Sequence, residues 1–136
     1  MKIYKSLFVL TLVLTLSLAA CGIFERETGL EGTSWSLVEV NGAPIVAGTV
    51  PTLVFEADRA GGNGSCNTFG GDYKVENGKL TFGPIVSTLM YCEGYMDQES
   101  AYLSALHEAA EYQIQGGNLH IMNADGQVSL ILSPQK

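Results

Sequence analysis

Apolar and polar positions alternate with a period of two along most of this chain from residue 33 onward, and a helical period interrupts them once. Thr33 to Val40 is rich in β-branched and aromatic residues, with Trp35 and Leu37 on one face, and Asn41-Gly42 follows as a turn. Pro51 to Glu56 places Leu53 and Phe55 on one side, with Pro51 at the strand start, where its missing N–H does least harm. Ala60 to Ser65 is dense in glycine. In isolation it reads as loop, yet it also suits a strand at a tight barrel corner, where another backbone comes close. Phe69 to Val75 alternates Tyr73 and Val75 against Asp72 and Lys74, Asn77-Gly78 turns the chain, and Leu80, Phe82 and Ile85 carry the return strand, with a bend at Pro84.

From Met96 to Ala110 the period changes. Leu103, Leu106 and Ala110 recur at helical spacing with Tyr102 and Ala109 beside them, while Gln98, Ser104 and Glu108 fall largely opposite. Asp97 is the expected N-cap, and Glu99 lies in the first turn, where negative charge suits the helix dipole. Tyr112 to Ile114, Asn118 to Met122 and Val128 to Leu132 then form a meander, separated by Gly116-Gly117 and by the turn Asn123 to Gly126. The expected fold is mainly β (α+β): a small antiparallel β-barrel or half-barrel of about eight strands, with one helix inserted before the last three strands. Closure would leave so short a chain without free sheet edges.

The first 32 residues follow a different pattern. Lys2 and Lys5 precede an apolar run, Leu7 to Leu18, broken only by Thr11, Thr15 and Ser17. A bilayer span would need about 20 apolar residues with stop-transfer charges behind it, and this run instead ends in Leu18-Ala19-Ala20-Cys21, a lipobox. Residues 1–20 are therefore expected to be a lipoprotein signal peptide, residues 21–32 a lipidated tether and residues 33–136 the folded domain. Similarity to bacterial lipoprotein signals implies diacylglycerol on the Cys21 thiol, cleavage before it and acylation of the new amino group, palmitate among the acyl chains. Two or three chains anchor stably where one would be marginal. Gly22 in place of Asp implies sorting to the outer membrane, facing the periplasm, in a Gram-negative cell.

Charge narrows the partners. The chain carries −7, with 7 Lys and Arg against 14 Asp and Glu, and Lys2 and Lys5 would leave with the signal. So acidic a surface repels phosphate backbones and anionic headgroups, so nucleic acid is not an expected partner; the same acidity also keeps an anchored protein in solution.

Of 3 cysteines, Cys21 takes the lipid, which leaves Cys66 and Cys92. Export to an oxidising compartment makes a Cys66–Cys92 disulfide the default reading. A redox-active pair would more naturally show Cys-x-x-Cys, and a metal site with His107 and His120 would show at least one short ligand spacing; the chain has neither.

Four pieces then stand in order: Gly32-Thr33-x-Trp35-x-Leu37, Ser65-Cys66-Asn67-x-Phe69-x-Gly71-x-Tyr73, Ser87-Thr88-x-Met90-x-Cys92, and Leu119. Spanning about Gly32 to Leu132, this set resembles the META domain family of HslJ-like bacterial lipoproteins. The resemblance implies a β-barrel-like fold with one helix, similar to pilotin-type secretin chaperones. It also implies associations with heat shock, antibiotic tolerance and, in some relatives, secretion or motility, with no established enzymatic activity. The glycine-rich Ala60 to Gly64 departs from the family pattern.

Three motif residues are candidates for binding: Asn67, Thr88 and Trp35. Asn67 suits a local clamp on backbone groups, with ligand contact as the alternative; Thr88 suits local capping or pairing before the helix; and Trp35 suits the core better than a cofactor platform. His107 and His120 have no Asp or Ser close in sequence. Glu93, Asp97 and Glu99 suit capping or loose cation binding better than an EF-hand, whose ligand order is absent. With no nucleophile–base pair, metal spacing or phosphate loop, no catalytic residue, metal or cofactor is expected. The first functional expectation is a non-catalytic envelope lipoprotein in stress response or envelope assembly, held to the membrane through lipid on Cys21. The second is a binding module, either a pilotin-type carrier of lipid or apolar peptide or an acidic inhibitor of a cationic wall hydrolase. An enzyme is the third.

Overall fold

The computed structural model describes residues 29–136. The expected signal peptide and the expected lipidation site Cys21 lie outside the described residues. Ten strands and one helix follow in chain order: β1 (Ser34–Val40), β2 (Ala43–Pro44), β3 (Thr52–Phe55), β4 (Arg59–Asn63), β5 (Thr68–Glu76), β6 (Lys79–Phe82), β7 (Val86–Ser87), α1 (Met96–His107), β8 (Ala109–Gln115), β9 (Asn118–Asn123) and β10 (Val128–Pro134). Eight of them close a barrel in the order β1, β3, β4, β5, β6, β8, β9, β10 and back to β1. These are the eight strands expected from the alternation, with the helix between the fifth and sixth. The two-residue strands β2 and β7 were not legible as strands. They lie off the ring, β2 against the end of β1 and β7 against the start of β5.

Period two explains the interior. Leu37, Leu53, Phe55, Leu80, Leu119, Ile121, Leu130 and Leu132 are buried from the strands, and α1 adds Tyr102, Ala105 and Leu106 to the same core. Each such side chain contributes about 1.5–3 kcal/mol by leaving water. Trp35 belongs to this core, as expected, and its Nε1 donates to Thr33 Oγ1 at 2.8 Å. The barrel interior is thus filled by the protein's own side chains.

Three sequence expectations need correction. Leu30, placed in the tether, is only 2 % exposed and packs in the core, and Gly32 N–H donates to the Phe55 carbonyl at 2.8 Å. The ordered domain therefore reaches back beyond residue 33, because a single apolar residue in a polar run carries no periodic signal. The helix stops at His107, short of the expected Ala110, because Ala109 pairs with Asn123 and starts β8. Asp97 is not the N-cap: Tyr95 holds that position with no side-chain cap, and Asp97 lies in the first turn.

The glycine-dense stretch forms β4 because two backbones meet there. Gly61 faces Gly70 and Ala60 faces Gly71 across the β4–β5 pair. A Cβ on Gly61 would stand 2.7 Å from the Phe69 carbonyl oxygen, and one on Gly62 would collide with the Thr52 carbonyl oxygen. Gly70 is different, since the nearest atom to a Cβ there lies at 3.6 Å. Gly62→Ala should therefore lower the unfolding free energy by about 1–3 kcal/mol through overpacking, while Gly70→Ala should be neutral or slightly stabilising. Urea denaturation of the two variants checks this, and equal effects would show that close approach does not set the glycine requirement.

Candidate functional site

The Cys-Asn and Thr-x-Met-x-Cys elements meet the helix at one end of the barrel. β4 runs out at Asn63 into the loop Gly64–Asn67, and β7 runs out at Ser87 into the extended segment Thr88–Cys92. Cys66 and Cys92 are joined by a disulfide with Cα atoms 5.7 Å apart and a sequence separation of 26. The expected pairing is present, worth about 3 kcal/mol through restriction of the unfolded chain.

Asn67 is the non-covalent counterpart of that bond. Its Oδ1 accepts from the Met90 N–H at 2.7 Å and from Thr88 Oγ1 at 2.8 Å, while Nδ2 donates to the Met90 carbonyl at 3.0 Å. The remaining Nδ2 hydrogen goes to Glu99 Oε1 at 2.6 Å. Both ends of the amide are saturated, and a flipped amide would set donors against donors, so its orientation is determined. Thr88 Oγ1 in turn accepts from the Thr68 N–H at 3.2 Å. The local clamp expected of Asn67 and the local pairing expected of Thr88 are the same network.

Glu99 completes it. Only 4 % exposed, its Oε2 accepts from the consecutive backbone N–H groups of Cys66 at 2.8 Å and Asn67 at 2.7 Å. Burial alone would raise its pKa, but the hydrogen bonds from the Asn67 backbone, the Asn67 side chain and the Cys66 backbone together outweigh it and hold the carboxyl below its ordinary range. The loop wraps so closely that a Cβ on Gly64 would stand 2.8 Å from Glu99 Oε2. Ser65 adopts φ 128°, a strained value for a residue with a side chain, with its N–H donating to Asn63 Oδ1 at 2.9 Å.

Gln98 and Tyr102 extend the attachment of the helix. Gln98 Oε1 accepts from the Val46 N–H, and its Nε2 donates to Ser65 Oγ at 2.8 Å and Thr49 Oγ1 at 3.0 Å. Tyr102 donates to the Thr52 carbonyl at 3.1 Å and lies edge-on to Phe69; burial pushes its phenol far above the ordinary range. Sequence reasoning put Gln98 on the outward face and Glu99 in a capping role. Both are buried because their partners lie 32 to 52 residues away, a distance no local pattern reports. Glu93 and Asp97 remain exposed, as a solvated pair of acids does. His107 lies at the far end of α1 and His120 on β9, apart from the cysteines.

Chemically, this arrangement braces the loop, the segment Thr88–Cys92 and the helix against one another. The carboxylate accepts three hydrogen bonds that favour its ionised form, and the cysteines are joined to each other. What the brace presents is the segment between β7 and the helix. There Leu89 is 96 %, Met90 58 % and Tyr91 80 % exposed, and Val86 on β7 just before it is 68 % exposed. A groove of about 390 Å³ runs beside them, floored by Met96 and Leu103.

A family model described as META domain matches residues 28–136. Two solved structures are similar in fold. An NMR structure of a protein from Burkholderia xenovorans has 26 % identity, a TM-score of 0.63, and coverage of 79 % of this chain and 84 % of that one. A second NMR structure has 26 % identity, a TM-score of 0.62, and coverage of 76 % and 90 %. Among curated proteins nothing matches.

Two outcomes test the brace. Glu99→Gln leaves one amide oxygen for donors that a carboxylate shared between two, and should cost about 3 kcal/mol of stability. Because the folded pKa is lowered, the Glu99 contribution is fully present above the unfolded value near 4.5 and is lost as pH falls through the folded pKa. Stability measured against pH should therefore decline in acid for the native protein, with that part of the decline missing in Glu99→Gln. Separately, replacing Cys66 and Cys92 together by Ala should lower stability by about 3 kcal/mol; thermal melting unchanged between reducing and oxidising buffers would remove the disulfide's role.

Proposed function

The chain belongs to the META domain family, and from that premise we propose that it is a non-catalytic, membrane-anchored envelope lipoprotein that acts in stress response or envelope assembly by binding a protein partner at its surface. One observation carries the surface-binding part: the interior is filled by its own side chains, while a braced segment holds Leu89 and Tyr91 almost entirely in solvent. Isolated exposed apolar residues are ordinary, but four within six positions beside an apolar-floored groove mark a contact surface. This favours surface binding over a pilotin-type carrier that holds an apolar chain inside the barrel. Inhibition of a cationic wall hydrolase is the second reading, favoured by 14 acidic residues against 7 basic ones.

Anchoring rests on the lipobox that ends at Cys21. The envelope address, facing the periplasm from the outer membrane in a Gram-negative cell, rests on Gly22 following it. The expected result of Cys21→Ser is release from washed membranes or stalled processing, together with loss of the lipid mass. Continued retention of the variant in the membrane fraction would overturn the anchoring. A null strain should survive heat stress less well, and the native gene but not Cys21→Ser should restore survival.

A further inference from the structure

The segment Val86–Tyr91 is held at both ends. β7 pairs with β5 through Phe69–Ser87 and Gly70–Val86, the Asn67 amide grips Thr88 and Met90, and the Cys66–Cys92 disulfide ties off the far end. Hydrogen bonds and a covalent link have thus been spent on backbone, while Leu89 and Tyr91 point into water at 96 % and 80 % exposure. A crest fixed in advance loses little conformational freedom on binding, which is the cost that weakens most loop contacts. Tyr and Leu beside a groove floored by Met96 and Leu103 give it an apolar seat.

The surroundings of the crest select its occupant by charge. Glu93 stands exposed between the crest and α1, and Asp97 stands exposed in the first turn of α1. Among the described residues, Lys74 and Lys79 lie on the β5–β6 hairpin, at the opposite end of β5 from Thr68. Arg59, the basic residue beyond Val86, is paired with Asp72 at 3.0 Å. A second copy docked crest to crest would set Glu93 and Asp97 against their own counterparts. The segment before Leu30 carries Glu25 and Glu27 against Arg26 alone, and the chain enters the barrel where Gly32 N–H donates to the Phe55 carbonyl, whereas the crest lies at the other end of β3 and β4, beyond Thr52 and Asn63. Anionic headgroups are repelled by the same two acids.

We infer that the crest Leu89-Met90-Tyr91, with the groove over Met96 and Leu103, is a docking site for a protein segment that is apolar on one side and flanked by Lys or Arg. This rests on the surface-binding reading above and names its partner's chemistry. Apolar contact supplies the seat, and Glu93 and Asp97 supply the choice between basic and acidic segments.

The methionines provide the test. The protein, recovered from its host envelope with whatever anchor it carries, is placed in zwitterionic nanodiscs with 13C-methyl methionine and titrated with three synthetic 14-residue peptides: Leu/Lys, Leu/Glu and Ser/Lys. Met90 and Met96 report on the site, and the buried Met122 on β9 monitors the fold. The expected result is that Leu/Lys alone shifts the Met90 and Met96 methyls while Met122 stays in place. Leu89→Ser with Tyr91→Ser should weaken binding at least tenfold, and Glu93→Gln with Asp97→Gln should weaken it and flatten its salt dependence. Equal binding of Leu/Lys and Ser/Lys, or no effect of the crest substitutions, would overturn the site in favour of diffuse charge attraction. Shifts of Met90 on transfer from detergent to nanodiscs, without peptide, would give the crest to the membrane, and shifts that depend on protein concentration would give it to a second copy. A mass spectrum of the same sample without lipid on Cys21 would sink the anchoring reading while leaving the crest result intact.

Discussion

One buried carboxylate organises the end of the barrel where chemistry-bearing residues gather. Glu99 accepts both the Cys66 and Asn67 backbone N–H groups and one Asn67 side-chain hydrogen. Without those donors, a charge at that depth would be too costly to keep. With them, the helix start, the strained turn at Ser65 and the segment that ends at Cys92 hold one another in place. The disulfide restricts the unfolded chain, whereas the carboxylate network orders the folded one. The two act on different sides of the folding equilibrium and so reinforce rather than duplicate each other.

Much of the fold could be read along the chain, because period two and turn chemistry are local. The eight barrel strands follow from alternation and from turns such as Asn41-Gly42 and Asn77-Gly78, whose asparagines and glycines all take positive φ. The glycine run could be read only as a choice between loop and strand, since close backbone approach is a property of two strands, not one. Leu30 and the end of the helix escaped because each is decided by a distant partner: the core for Leu30, Asn123 for Ala109. Cysteine arithmetic found the disulfide, and the turn-forming habit of Asn67 found the clamp. Gln98 and Glu99 escaped because a polar residue in a first helical turn looks the same whether it faces water or a loop 32 residues away.

A filled barrel with a braced edge separates core packing from the display of exposed apolar surface. Stability resides in the leucine-rich interior, while the outward segment carries exposed apolar surface that no packing requires. Substitutions at Leu89 or Tyr91 can therefore change the surface presented without loss of core burial. Asn67 and Glu99 fix the crest's shape and also line the groove beside it.

The closing pair of the barrel joins β1 to β10, Trp35 opposite Pro134 and Val40 opposite Leu130. A chain that emerges from its ribosome N-terminus first cannot complete the ring until β10 is free. Until then β1 lacks one of its neighbours, and the buried faces of Leu37 and Val40 lack the leucines of β10. The finished fold is in this sense all or nothing: loss of β10 opens an edge on β1 and on β9 at once.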